Sequence, residues 1–332
     1  MERREFCRFL GVCAAVGCGG GLAGCARLLD LSGDSPASVR ELRPAQSGAS
    51  APASGSQDAT GAAGAVPDLA VFTGGDPERN VRAAIGALGG MGRFVSTGDH
   101  VVVKPNVVTA RPPELAVTTN PYVVAAVVKL ALEAGAKDVV VLDGPTSAAR
   151  NAFEVSLIAS AVAAAGGRVK YLSDRDYATV AIPKGRILKE APLLSDVFDA
   201  DVFINVPIAK THDLARLTMS MKNLMGIMGE GRASMHQDFQ QKIVDLGTLV
   251  RPHLVVLDAF RILVRNGPTG GDPADVRAPK TCIAGTDPVA VDSLGTSLFG
   301  MRPSDLEYLV NAGDQGLGVT DLSRLRIQRG QA

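Results

Sequence analysis

Three lysines in the sequence are each followed, within two positions, by an asparagine or a histidine. The pairs are Lys104 with Asn106, Lys210 with His212, and Lys222 with Asn223. Ammonium groups beside amide donors would stabilise a carboxylate or a phosphate. A lysine desolvated among like charges would also have a lowered pKa, which suits a base or a Schiff-base nucleophile. The alternative is that each lysine is an ordinary solvated surface charge.

Two histidines, His212 and His236, flank a stretch rich in methionine and glycine. With a carboxylate such as that of Asp292, they would form a His/His/carboxylate site for a divalent metal. Asp258 is predicted to orient a catalytic histidine. No H-x-x-x-H or H-E-x-x-H spacing is present, so a structural role for the histidines stays open. The catalytic candidates are Lys104, Lys210, His212, Lys222 and Asp258.

A glycine-rich turn starts at Gly226 and is flanked by Lys222 and Arg232. Backbone amides in such a turn can bind phosphate. The turn does not follow a strand and open a helix in the manner of a nucleotide-binding loop, so a mobile turn is an equal alternative. The candidates for ligand binding are Asn106, Asn223, Gly226, Asn266 and Asp287.

Short β-branched runs alternate with helical patterns along the second part of the chain. Strands are predicted at 69–72, 100–104, 138–143, 168–172, 201–206, 253–258 and 280–284, and helices at 78–88, 121–134, 153–165, 239–250, 289–299 and 304–312. Several strands are apolar on both faces, as in a buried parallel sheet. The predicted fold class is therefore α/β, with a largely parallel sheet flanked by helices and a small inserted lobe around 209–238.

Several of the candidate side chains directly follow predicted strands. Lys104 ends one strand beside Pro105, and Pro207 stops another shortly before Lys210. Ligands of open α/β sheets gather beyond the carboxyl ends of the strands. We therefore expect the candidates to converge on one cleft; they are Lys104, Lys210, His212, Lys222, Asn223 and Asp258.

A series of short motifs covers about 99–318. The motifs are Lys104-Pro-Asn106, Thr118-Thr-Asn-Pro121, Asn205-Val-Pro-Ile-Ala-Lys-Thr-His212, Lys222-Asn-Leu-Met-Gly226, with His236 following, Asn266-Gly-Pro268 and Gly285-Thr-Asp-Pro-Val-Ala-Val-Asp292. Their order resembles that of the family known as domain of unknown function 362. The resemblance implies no settled activity. Several relatives in that family carry a ferredoxin-like cysteine module, which this chain lacks.

The charge balance argues against one class of function. Lys plus Arg and Asp plus Glu are equal at 34 each, so no net charge attracts a polyanion. No basic stretch carries interleaved aromatic residues. Binding of nucleic acid is not expected.

The first 25 residues read as a targeting signal. Arg3 and Arg4 precede Phe6, a Gly/Ala-rich apolar stretch follows, and Leu22-Ala-Gly-Cys25 resembles a lipobox. The order resembles a twin-arginine lipoprotein signal that uses the twin-arginine export machinery, with Cys25 as the lipidated residue. The alternative is an amphipathic N-terminal helix with a chance cysteine. Residues 26–67 are rich in Ala, Ser, Gly and Pro and are predicted to be a disordered tether to a globular domain at 68–332.

This organisation implies a lipid-anchored, extracytoplasmic position in the cell envelope. If Cys25 becomes the lipidated N-terminus, Cys282 is the one free thiol left. One thiol cannot hold an iron–sulfur cluster, so none is expected in this chain.

Three functional hypotheses follow from the sequence. The first is an enzyme that acts on a small anionic molecule bound by the three lysines. The second is a non-catalytic, lipid-tethered receptor that captures the same kind of anion or a metal. The third is a structural envelope lipoprotein in which the lysines have no specific role.

The signal assignment can be tested in cells. Replacing both arginines (Arg3→Lys with Arg4→Lys) should block export while leaving folding intact, because the receptor reads the arginine pair. Cys25→Ala should abolish lipid labelling and leave an unprocessed precursor. Cell fractionation and metabolic lipid labelling measure these effects. Normal delivery of the double-lysine variant to the envelope would contradict the twin-arginine assignment.

Overall fold

The apolar, β-branched runs form the strands of a twisted sheet. The computed structural model describes residues 66–332. The thirteen strands in this part of the chain are β1 (Leu69–Thr73), β2 (His100–Pro105), β3 (Asp138–Val141), β4 (Arg168–Val169), β5 (Tyr177–Ala181), β6 (Glu190–Leu194), β7 (Val202–Val206), β8 (Ile208–His212), β9 (Arg216–Thr218), β10 (Leu254–Leu263), β11 (Val276–Arg277), β12 (Thr281–Gly285) and β13 (Ile327–Gln331).

Helices lie between the strands and cover the sheet. Within residues 66–332 the α-helices are α1 (Pro77–Ala87), α2 (Pro121–Glu133), α3 (Ala149–Val155), α4 (Ile158–Ala164), α5 (Ser195–Asp199), α6 (Ser220–Asn223), α7 (Phe239–Leu249), α8 (Pro288–Gly295) and α9 (Glu307–Asp314). In this described region no helix is both long and apolar enough to cross a membrane.

The main sheet has the strand order β13-β1-β12-β10-β7-β2-β3-β4. Along this path β12 alone, among the described strands, runs opposite to the others, because it is antiparallel to both of its neighbours, β1 and β10. The remaining pairs are parallel. The α/β fold with a largely parallel sheet is therefore confirmed.

Both faces of the sheet are buried, which explains the continuous apolar runs. Alternate residues of a strand point to opposite faces. Val101 and Val103 of β2 pack in one hydrophobic cluster with residues of α1, α2 and α4, whereas Val102 packs in a second cluster with residues of α7, α8 and α9. A strand that is buried on both faces therefore has apolar residues at consecutive positions instead of alternating apolar and polar residues.

Helix α2 begins and ends where the sequence predicts. The Asn120 side chain accepts a hydrogen bond from the backbone N–H of Tyr122, and Pro121 occupies the first turn, where its missing N–H is not needed. Gly135 follows the helix with φ +98°, a conformation that favours glycine. The predicted helix at 153–165 is instead two helices, α3 and α4, because Leu157 adopts a left-handed φ of 59° between them.

The segment 209–238 is not a separate lobe, which corrects the prediction from sequence. After Pro207, β8 continues the path of β7 and pairs with the second half of the long strand β10. The Pro207 carbonyl accepts a hydrogen bond from the Asp258 backbone N–H, so the pairing continues across the proline. The methionines of this segment, including Met219 and Met221, are buried in the core.

The sequence pattern also missed the β5–β6 hairpin, which forms a separate two-stranded antiparallel sheet. The predicted signal, 1–25, lies outside the described residues. The predicted tether, 26–67, lies outside them except for its last two positions.

A chain beginning at Asp68 is predicted to be soluble, monodisperse and as heat-stable as the full mature chain. The reason is that the buried core of the described region starts at Leu69 in β1. Thermal unfolding and size-exclusion chromatography of the two proteins would measure this. A large loss of melting temperature in the shorter chain would show that the preceding residues pack on the domain.

Candidate functional site

A cleft of about 230 Å³ lies at the carboxyl edge of the parallel strands. It is lined by Lys104 at the end of β2, Lys210 in β8 and Lys222 in α6. The strand ends of a parallel sheet share one rim, so residues far apart in sequence meet there. Other lining residues are Asn106, Asp143, Gly144, His212, Thr218, Asn223, Met225, Gly226, Arg232, His236 and Pro268.

Lys104 is fully buried, and its ammonium group has three oxygen partners. The Nζ atom lies 2.7 Å from the Asp143 carboxylate and donates to the Pro105 carbonyl (2.9 Å) and to Oδ1 of Asn223 (3.1 Å). Burial lowers the pKa of Lys104, and the Asp143 charge opposes that effect. Three oxygens lie within 3.1 Å of the ammonium group, so Lys104 is held by the protein rather than presented to a ligand.

Lys210 is also buried and saturated. Its Nζ atom donates to Oδ1 of Asn106 (3.1 Å), to the Val117 carbonyl (2.6 Å) and to the Pro268 carbonyl (3.1 Å). Burial, followed by repulsion from Lys222, lowers the pKa of Lys210 to about 7. The three oxygen acceptors oppose this lowering because they stabilise the charged form. Lys210 therefore contributes positive charge and structure to the cleft rather than a free donor.

The two buried ammonium groups fix the orientation of an asparagine network. Each ammonium requires an amide oxygen on its side, Oδ1 of Asn223 for Lys104 and Oδ1 of Asn106 for Lys210. Nδ2 of Asn106 then donates to Oδ1 of Asn223 (2.9 Å), and Nδ2 of Asn223 donates to Oδ1 of Asn205 (2.8 Å). The amide groups in this network cannot flip without losing a bond to a cation.

Lys222 differs from the other two lysines because none of its hydrogen bonds or ion pairs in the described part of the chain reaches an oxygen. Its Nζ atom lies 3.8 Å from the sulfur of Met225 and 5.6 Å from the ring centre of Phe239. Burial, followed by repulsion from Arg232, lowers the pKa of Lys222 to about 8. Lys222 is thus the lysine whose hydrogens are available to a bound molecule.

The two histidines predicted from sequence are neighbours in the cleft, with ring centres 5.9 Å apart. Burial, followed by the charge of Lys222, lowers the pKa of His212 to about 3 and also lowers that of His236. Both rings are therefore neutral at neutral pH. Nδ1 of His212 accepts from the backbone N–H groups of Leu214 and Ala215. It also lies 2.8 Å from the exposed Asp213 carboxylate, but two backbone donors favour a lone pair on this nitrogen.

Gly226 closes the cleft over the Lys104–Asp143 pair. A Cβ atom at this position would overlap Oδ1 of Asp143 and lie 2.6 Å from Nζ of Lys104. The Gly226 carbonyl accepts from the Gly144 backbone N–H at 3.0 Å, and Arg232 donates to the Gly144 carbonyl. The glycine is required for this close approach.

Sequence reasoning did not include three of the lining residues among its candidates. Asp143 is the carboxylate partner of Lys104, and Arg232 adds a fourth cation. Thr218 is 3% exposed, and its hydroxyl has no hydrogen-bond partner within residues 66–332. Asp143 could have been identified from its position just after β3, because polar residues at strand ends meet at the cleft.

Asp258 does not line the cleft, which corrects its predicted place there. Its carboxylate is buried and accepts hydrogen bonds from the backbone N–H groups of Asn120 (2.7 Å) and Phe260 (2.9 Å). Burial raises the pKa of Asp258 to about 6. The residue joins the start of α2 to β10, and its oxygens face the backbone rather than a histidine.

Asp287 and Asp292 also lie outside the lining of the cleft. Asp287 caps helix α8 by accepting from Val289 and Ala290, and its other oxygen accepts from the Val319 backbone N–H. Asp292 accepts from the backbone N–H groups of Ser220 and Met221 at the start of α6. Burial raises the pKa of Asp292 to about 7.

Asn266 is placed beside the cleft rather than in it. Its Nδ2 atom donates to the Asp275 carboxylate at 2.6 Å, and it lines a neighbouring groove with Thr211 and Arg216. The Gly267–Pro268 peptide that follows is cis, and Pro268 supplies the carbonyl for Lys210.

The predicted metal ligands are not brought together as a set. His212 and His236 face one another, but Asp292 is engaged with the backbone of α6. Within residues 66–332, no group of three or more His, Cys, Asp or Glu side chains could hold a metal ion. Cys282 is buried in the core as a free thiol.

The fold and the site together define an α/β domain with a cationic cleft at the carboxyl edge of its sheet. The family described as domain of unknown function (DUF362) matches residues 101–297. The chain belongs to this family, as its motifs indicated.

Relatives extend this comparison. The chain is 32% identical over 255 residues to the thylakoid-associated protein of Synechocystis sp., covering 73% of this chain and 75% of that protein. Among solved structures, it is similar to the lactate racemase apoprotein from Thermoanaerobacterium thermosaccharolyticum (10% identity, TM-score 0.39), covering 66% of this chain and 54% of the other. A Thermotoga maritima protein gives 12% identity and the same TM-score, covering 68% and 60%. The chain thus spans about half the length of the racemase.

Gly226→Ala is predicted to displace the Lys104–Asp143 pair or the turn above it. Overpacking of this kind typically costs about 1–3 kcal/mol, so the melting temperature should fall and phosphate binding should weaken. Thermal unfolding with and without phosphate would measure both effects. Gly92→Ala is the control, since a Cβ atom there meets nothing within 4 Å. Equal behaviour of the two variants would contradict the close approach at Gly226.

Proposed function

We propose that the chain is an enzyme that binds a small molecule carrying a carboxylate or a phosphate in the lysine cleft. The observation that supports this is the charge of the lining. Lys104, Lys210, Lys222 and Arg232 face one carboxylate, that of Asp143. Like charges about 4 Å apart repel by roughly 4 kcal/mol at an effective dielectric near 20, so grouped cations favour a bound anion.

The free donors indicate where that anion would lie. Lys104 and Lys210 each have three protein oxygens around their ammonium groups, so a ligand would meet Lys222, Arg232 and the Thr218 hydroxyl, which has no hydrogen-bond partner within the described residues. Charge-assisted bonds from an ammonium and a guanidinium are the strong ones for carboxylates and phosphates.

Lys222 is the residue that best supports a catalytic role. A general acid or base works best when its pKa is near the working pH, and the pKa of Lys222 is lowered to about 8. His212, with a pKa of about 3, is a weak base at neutral pH. In this proposal the histidines orient the ligand and exchange hydrogen bonds with it, and proton transfer falls to Lys222.

We also propose that the domain works outside the cytoplasm, held to a membrane by a lipid on Cys25. The support is the order of Arg3, Arg4, an apolar stretch and Cys25 in the sequence. The Synechocystis relative is named as thylakoid-associated, which favours a membrane-associated position here as well.

Lys222→Met is predicted to remove most of the stabilisation given by phosphate or acetate. The ligand-free variant should be as stable as the wild type at neutral pH, or slightly more stable, because it lacks a partly desolvated charge. The pKa of Lys222 is about 8 in the folded protein against 10.5 ordinarily, so the unfolded chain binds more protons above neutral pH. The contribution of Lys222 to the free energy of unfolding should therefore rise by about 1 kcal/mol between pH 7 and pH 9, and the variant should lack this contribution.

The measurement is thermal unfolding at both pH values, with and without each anion. Lys137→Met, at an exposed position, is the matched control and should behave as the wild type. A full anion effect in Lys222→Met would contradict the proposed site. Incubation of the wild type with candidate anions then separates an enzyme from a receptor, because a receptor returns its ligand unchanged.

A further inference from the structure

The surroundings of Lys222 favour the neutral amine form of its side chain, unlike those of the two structural lysines. Lys104 and Lys210, in the same cleft, each have three oxygen acceptors, whereas the nearest partners of the Lys222 ammonium are the Met225 sulfur and the Phe239 ring. A sulfur and a ring stabilise a positive charge less than oxygens do when it is removed from water. The side chain is nevertheless 9% exposed and opens into the cleft.

An amine in this position needs an electrophile that also satisfies the positive cleft. Phosphate would bind to the cations, but it has no carbonyl carbon with which the amine could react. A small 2-oxo acid has both parts, a carboxylate for the cations and an adjacent carbonyl carbon for the amine. A cleft of about 230 Å³ admits a molecule of the size of pyruvate.

We propose that Lys222 forms an imine with the carbonyl carbon of a small 2-oxo acid whose carboxylate is bound by Arg232. This inference rests on the proposed function and names its substrate class. The Nζ lone pair attacks the carbonyl carbon and forms a C–N bond. The carbonyl oxygen takes up two protons, equivalent to those lost from the nitrogen, and leaves as water. No oxidant or reductant is consumed.

The other cleft residues have defined parts in this step. Arg232 donates to the Gly144 carbonyl through one nitrogen, which leaves further donors for a carboxylate. The neutral rings of His212 and His236 lie 5.9 Å apart in the same lining and can exchange hydrogen bonds with the carbonyl oxygen. The lowered pKa of Lys222, about 8, gives a neutral fraction at neutral pH a few hundred times that of an ordinary lysine.

The test is reductive trapping in the full-length protein. Pyruvate is added at neutral pH, sodium borohydride reduces any imine to a stable amine, and peptide mass mapping locates the adduct. We expect a mass increase equal to pyruvic acid plus two hydrogens less one water, on the peptide that carries Lys222. Inorganic phosphate should suppress labelling by competing for the cations. Lys222→Arg should lose the adduct while still being stabilised by phosphate, and Lys137→Arg should be labelled as the wild type.

The outcomes distinguish the two proposals. If pyruvate and phosphate raise the melting temperature of the wild type but no adduct forms at Lys222, the imine is wrong and the anion site stands. If neither anion changes the melting temperature and no adduct forms, both are wrong. Labelling of exposed lysines to the same extent as Lys222 also overturns the imine. Because the peptide mass mapping is done on the wild-type protein, the test does not depend on the folding of a variant.

Discussion

The cleft depends on two buried ammonium groups that the protein itself holds in place. Lys104 and Lys210 are held by three oxygens each, and through Asn106 and Asn223 they are joined into one network. A buried ammonium with a missing acceptor would cost several kcal/mol, so every partner in the network is constrained. This requirement fixes the ends of β2 and β8, the end of α6 and the turn at Pro268 relative to one another.

The three lysines of the cleft have different roles. Lys104 and Lys210 hold the structure together, whereas Lys222 is available to bind a ligand. Lys104 forms an ion pair with the Asp143 carboxylate, whereas Lys210 and Lys222 form no ion pair in the described region. The cleft therefore keeps an uncompensated positive charge, and the hydrogens free to use that charge belong to Lys222 and Arg232. An anion that binds there supplies the negative charge that the protein does not provide.

Most of the fold and part of the site could be predicted from the sequence. The β-branched runs gave β1, β2, β7 and β12 nearly to the residue, because strands buried on both faces have a continuous apolar pattern. The three lysines could be grouped because each lies beside a predicted strand end or a glycine-rich turn. What could not be predicted was which polar group faces which partner. Asp258, Asp287 and Asp292 follow motifs as suggestive as that of Asp143, yet their oxygens bind backbone N–H groups. Such bonds depend on tertiary approach and have no periodicity in the sequence.

The place of β1 in the sheet has a consequence for how the chain is made. β1 lies between β12 and β13, with Leu69 paired to Gly285 on one side and to Ile327 on the other. Contacts so distant in sequence form late, because the loop that joins them must first be closed. During synthesis β1 gains its first sheet partner only when β12 has been made, and its edge toward β13 stays unpaired until about 260 further residues have left the ribosome. A sheet with this order can be completed only after translation of β13.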